Sequence, residues 1–149
     1  MNRQTIKSIS WELLKLTIPA FIGFLFAYIS FSKQFDANEK GRLNDNLNKL
    51  LDINLLYPYV EDSVFISWWN SHKSSSSDSS LRYQAYCEYV FNFLQNTCEY
   101  FHYDKKKILE FVDMLDLVDQ HRDWLNLPEQ KNSGSYPKRF LDFIDENFK

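Results

Sequence analysis

The sequence predicts an all-α protein, an N-terminal transmembrane helix followed by a small bundle of four to five helices. Three observations predict it. The 17 residues between Lys15 and Lys33 carry no charge. The chain has only 3 Gly and 4 Pro in 149 residues, well under half of average usage, which is roughly 12%. So few turn formers argue against a sandwich or barrel. From Leu43 onward, apolar residues recur at spacings of three and four, the period of a helix with one buried face.

The first element is the uncharged run, placed in residues 1–32 as a membrane anchor that meets lipid through residues 13–32. Seventeen residues is the short end of what crosses a hydrocarbon core as a helix. Leu13 and Leu14 extend its apolar surface, and Lys15 can reach the headgroups along its own stem. Trp11 and Tyr28 stand near the two ends, where amphipathic rings favour the interface. Pro19 and Gly23 are tolerated in lipid more readily than in a soluble helix. Three other readings stay open: a buried soluble helix, a cleaved leader with its basic start at Arg3 and Lys7 and small residues at Ser30 and Ser32, and an element lying on the membrane and turned at Pro19. A retained single-pass anchor is the leading one, because the stretch is long, aromatic and interrupted at Lys15.

Orientation is not set by charge, since Arg3, Lys7 and Lys15 precede the span while Lys33, Lys40 and Arg42 follow it. The cysteines favour a cytosolic C-terminal domain. Cys87 and Cys98 lie 11 residues apart on one predicted helix, about 16 Å along its axis, and a disulfide needs Cα atoms within about 7 Å. Two free thiols suit a reducing compartment.

Residues 33–149 form the helical domain. Leu43, Leu47, Leu50 and Leu51 mark a helix that starts between Phe35 and Gly41 and ends before Pro58. Its register extends to Asn54 and Tyr57. An Asn among leucines can specify coiled-coil pairing, but two heptads predict at most a weak homodimer, and the core face of a bundle is the plainer reading. Val64 to Trp69 is a short helix after Glu61 and Asp62. Residues 74–80, rich in serine, form a mobile surface loop.

Residues 81–103 carry two apolar stripes, Tyr83, Cys87, Val90, Leu94, Cys98 and Phe101 beside Tyr86, Tyr89, Phe93 and Tyr100. A helix apolar on two sides is covered on two sides, so it forms the centre of the bundle. Asp78, Ser79 or Ser80 caps its start. Asp104 caps the next helix, which buries Ile108, Phe111, Val112 and Leu115. Its phase slips near Met114 to Leu117, before Val118, His121, Trp124 and Leu125. Leu127-Pro128 stops it. After a loop at 132–135, Phe140, Leu141, Phe143, Ile144 and Phe148 give a last amphipathic helix following Pro137. The segments RYQAYCEYVFNFLQ and DQHRDWL, between Arg82 and Leu125, resemble the domain of small bacterial proteins with one membrane helix, and no activity comes with that resemblance.

The sequence predicts no catalytic, cofactor or metal residue, and the protein is read as not an enzyme. His72, His102 and His121 stand far apart, with no partner at metal-ligand spacing. The only glycines are Gly23, Gly41 and Gly134, too few for a phosphate-cradling loop or a nucleophile elbow. Glu110, Asp113, Asp116, Asp119 and Asp123 read as a solvated face. Lys105 to Lys107 form a small basic patch, suited to lipid headgroups only if it faces a membrane. A net charge of −3 has the wrong sign for tracking nucleic-acid phosphates.

What remains is an anchor, a bundle and no catalytic constellation. The leading reading is therefore a membrane-anchored adaptor whose domain binds a protein partner, with Trp68, Trp69 and Tyr136 as candidate contacts because Trp and Tyr often anchor interfaces. Core burial of both tryptophans competes with that assignment. Two rivals stay open: a tethered enzyme or small-ligand domain with His121 and carboxylates around a cavity, and a secreted helical protein with a cleaved leader.

Overall fold

The computed structural model describes the backbone of residues 3–73, 76–132 and 134–148, and the side chains of residues 17–73, 76–131 and 134–148. The expectations placed on the side chains of Arg3, Lys7, Trp11, Leu13, Leu14 and Lys15 lie outside the described residues, as do Ser74, Ser75 and Ser133. The described residues hold seven α-helices and no strand: α1 Arg3–Leu56, α2 Ser63–Ser71, α3 Asp78–Tyr100, α4 Lys105–Phe111, α5 Met114–Leu125, α6 Pro128–Asn132 and α7 Lys138–Asn147. One 3-10 turn, Pro58–Glu61, separates α1 from α2. The chain divides into two units, residues 1–40 and 41–149.

The first unit is helix alone. Among its described side chains, Phe21, Phe24, Phe26 and Phe31 are each more than 60% exposed. Pro19 sits inside the helix without ending it. The sequence reading places a new helix start between Phe35 and Gly41, and the structure corrects this. α1 runs unbroken to Leu56, because residues 33–40 include Lys, Gln, Ala and Glu, good helix formers, and contain neither Gly nor Pro. It ends where expected. Tyr57 precedes Pro58, whose ring disfavours helical geometry in the residue before it, and Tyr57 leaves the helix at φ −134°.

In the second unit α3 is the central helix, with Tyr83, Tyr86, Cys87, Val90, Phe91, Phe93, Leu94 and Cys98 all buried. It is covered by Ile66 and Trp69 of α2, Met114, Val118, Trp124 and Leu125 of α5, and Phe140 and Ile144 of α7, all members of one apolar core. Leu50 of α1 belongs to the same core. The two apolar stripes of this helix thus correspond to two covered sides, as its pattern predicts.

Side-chain oxygens set the helix starts. Asp62 accepts from Val64 N at 2.8 Å, opening α2. Ser77, one residue before the predicted caps, accepts from Ser80 N at 3.2 Å and opens α3. Asp78 then lies in the first turn, where its charge suits the helix dipole. Asp104 accepts from Lys106 N and Lys107 N. Asp113 accepts from Asp116 N and opens α5, so the phase slip near Met114 is a true break, one residue after Val112 turns extended. After α3 the chain reverses through His102 and Tyr103, both at positive φ, with Tyr103 N donating back to Cys98 O at 2.8 Å in the manner of a helix-terminating motif.

Candidate functional site

Trp68 and Trp69 are neighbours on α2 and point to different media, as adjacent helical positions about 100° apart must when one side is covered. Trp69 is fully buried. Its indole Nε1 donates to Ser80 Oγ at 3.1 Å, and its ring meets Tyr83 at 4.9 Å. Tyr136 is also buried, 5% exposed, among Phe91, Trp124 and Phe140. These two are corrected from contact surface to core. Trp68 alone, at 39% exposure, remains on the surface.

Around Trp68 the rings form a ladder. Tyr57 lies 6.2 Å from Tyr59, Tyr59 lies 4.9 Å from Phe65, and Phe65 lies 5.5 Å from Trp68. Trp68 stacks on His72 at 5.0 Å, and His72 Nδ1 lies 2.8 Å from the Trp68 carbonyl oxygen, which holds the imidazole against the indole. Val64, on the same helix, is 76% exposed. The far end of the ladder is closed by Arg82, whose guanidinium lies over the Tyr57 ring at 4.8 Å and donates to Tyr57 Oη at 2.6 Å. Asp78 holds the same guanidinium through Nε at 2.7 Å. Beside this end a groove of about 230 Å³ is lined by Ile53, Tyr57, Val60, Arg82, Ala85, Tyr86 and Tyr89. Its walls are mostly apolar and its single cation is Arg82. The sequence reading missed Tyr57, Tyr59 and Arg82 as site residues; the signal was Tyr57-Pro58-Tyr59, two aromatics flanking a proline that turns the chain.

Below the surface lies a buried polar cluster. His121 is fully buried. Its Nδ1 lies 3.0 Å from Tyr83 Oη and 3.8 Å from Cys87 Sγ, and the edge of Tyr86 packs against its ring at 5.4 Å. Burial disfavours the imidazolium and pushes its pKa down to about 4. Tyr86 donates to Glu61 Oε1, which also accepts from Asn54 Nδ2 at 2.5 Å. Asn54, considered as a pairing residue, therefore joins α1 to the 3-10 turn within one chain. Neither cavity described in this section is lined by His121. Among the described residues no three His, Cys, Asp or Glu side chains gather as a metal-ligand set.

The two cysteines are buried and free. Burial raises both thiols, Cys98 to about 12 and Cys87 further, which suppresses the nucleophilic thiolate. The basic patch is occupied locally. Lys105 Nζ donates to Asn147 O at 2.8 Å and lies over the Phe148 ring, while Lys106 and Lys107 face Glu110 and Asp104. The carboxylate series is dispersed too: Asp113 is a cap, Asp119 faces Arg122 at 3.7 Å, and such exposed pairs carry little energy. A second cavity, about 390 Å³, lies among Tyr103, Lys138, Arg139, Asp142, Phe143 and Glu146. Its charges balance, with Lys138 paired to Asp142 at 2.8 Å and Arg139 over Tyr103 at 4.1 Å.

Comparison with protein-family models, with curated proteins and with solved structures finds no match.

Among the described residues one helix is long and apolar enough to cross a membrane, counted from Thr17 onward, and none of its apolar window is buried.

Proposed function

We propose that this chain is a single-pass membrane-anchored protein whose helical domain, on the cytosolic side, captures another protein through the aromatic surface around Trp68. The observation that carries the reading is the ladder from Arg82 to His72, five rings and a guanidinium left half-covered by the chain that builds it. Rigid aromatic area with an Arg at its edge is the composition of interface hot spots. The groove beside Tyr57 suits an apolar side chain of the partner, with a polar acceptor for Arg82 at its rim. The uncovered Phe side chains of the first unit support the anchor, because lipid is the medium in which such rings need no protein cover. Buried, unpaired Cys87 and Cys98 support a reducing compartment.

The test is affinity capture of the full chain from its native membrane. Trp68→Ala is expected to weaken capture strongly while leaving the helical circular dichroism unchanged. Equal capture by the wild type and Trp68→Ala would remove the aromatic surface from the reading. A reporter fused after Lys149, read on either side of the membrane, checks the orientation, and recovery of the full-length chain in the detergent-free supernatant after high-speed centrifugation would end the anchored reading.

A further inference from the structure

We propose that a second copy of this chain pairs with the first, in parallel, along the uncovered side of α1. Leu43 and Leu50 turn one side of this helix into the bundle, at 1% and 2% exposure. Gly41, Asn44, Asn48, Leu51 and Leu55 occupy another side, all exposed, with Leu51 at 51% and Leu55 at 81%. Their spacing is three, four, three and four, the alternation of a coiled-coil seam. Nothing among the described residues accounts for Gly41. Its backbone is helical and a Cβ built on it meets no atom within 4 Å, so it costs the helix about 1 kcal/mol relative to Ala with no return in the single copy.

Charge selects the occupant and its direction. One flank of the seam carries exposed Lys40 and, nearer the bundle, half-buried Leu47 and Asn54, and the other carries exposed Asp45 and Asp52. In a parallel pair the two different flanks meet, which sets Lys40 of each copy against Asp45 of the other. In an antiparallel pair like flanks meet, and Lys40 finds no acid. Asn44 and Asn48 then face their own counterparts, where amide-to-amide hydrogen bonds fix register at a cost in stability. From Gly41 to Leu55 the seam is about 21 Å long, only two heptads, which makes the pairing weak in dilute solution. In the span, taken by itself, Ala20, Gly23, Ala27 and Ser30 keep the same spacing, and a Cβ added at Gly23 also meets nothing within 4 Å. Small residues at such positions let two membrane helices approach closely.

The experiment uses the full chain in phosphatidylcholine vesicles, with single cysteines introduced as Asn48→Cys, Leu55→Cys and, off the seam, Lys49→Cys. Native Cys87 and Cys98 are buried, so the wild type serves as the blank. Mild oxidation is expected to give a covalent dimer at positions 48 and 55 and several-fold less at 49. Cross-linking at 48 without 55 would show antiparallel contact, and equal cross-linking at all three, or none, would show no seam; each of these overturns the proposal. Lys40→Glu is expected to reduce the Leu55→Cys dimer several-fold, and adding Asp45→Lys to restore it; failure of the double exchange to restore it overturns the parallel alignment. In native membranes, an adduct with a different protein in place of the dimer would assign this face to that protein and overturn the pairing. The seam shares no residue with the aromatic surface, so Trp68→Ala is expected to leave the cross-link unchanged, and the failure of one reading is distinguishable from failure of the other.

Discussion

The buried cluster about His121 and the surface ladder about Trp68 both draw on α2 and α3, the first adding His121 of α5 and the second Tyr57 and Tyr59 around the 3-10 turn, and they differ in how far the chain covers them. Inside, Trp69 donates to Ser80, Tyr83 meets His121 and Tyr86 donates to Glu61, while His121 Nε2 is buried with no hydrogen-bond partner among the described residues. Outside, Trp68 and Phe65 touch other rings and lean on solvent. The difference teaches which aromatics hold the fold and which are left over for binding. A fully buried ring costs much to remove and offers nothing to a partner. A ring resting on its neighbours costs little and remains available.

The comparison breaks most severely at Trp69. Trp69→Ala opens a cavity among Tyr83 and its neighbours and is expected to cost about 3–5 kcal/mol, read as a shifted midpoint in urea unfolding. A smaller effect is expected from acid. Because His121 is held neutral, with its pKa lowered to about 4 from 6.5, the unfolded chain takes up its proton first as pH falls. The contribution is fully present above about pH 7, declines between pH 6.5 and 4, and amounts to about 3 kcal/mol at most. In His121→Gln that part of the stability-versus-pH slope should vanish, and its persistence would show that other groups cause it.

Ser80→Ala sharpens the comparison further. It leaves the Trp69 indole N–H buried without its acceptor, with an expected loss of about 1–3 kcal/mol by thermal or urea unfolding. The smallest effect is expected at the surface: Trp68→Ala should cost about 1 kcal/mol or less, although its effect on partner capture should be the largest of the four. If Trp68→Ala unfolds the domain as Trp69→Ala does, the ladder belongs to the core and not to an interface.

Much of the architecture was legible. The two stripes of α3, the cap at Asp104, the stop at Leu127-Pro128 and the last helix after Pro137 all follow from spacing and local chemistry, because each depends on neighbours within a few residues. The continuity of α1 through residues 33–40 was not legible. A change from apolar to charged composition marks a change of medium, but a helix continues where neither Pro nor Gly interrupts it, and residues 33–40 contain neither. The choice of Ser77 over Asp78 as the cap of α3 was equally hidden, since four adjacent Ser and Asp residues can each supply the oxygen.

The sequence by itself determined the helical class, the uncovered apolar helix at the start and the central place of α3, since these depend on period and composition alone. Only the tertiary structure decided that Trp69 and Tyr136 are core while Trp68 is surface, that Asn54 serves Glu61 within the chain, and that Tyr57, Tyr59 and Arg82 complete the ladder. The reason is that burial is a property of what packs against a face. A single helix's pattern says that a face is covered without naming the residue that covers it.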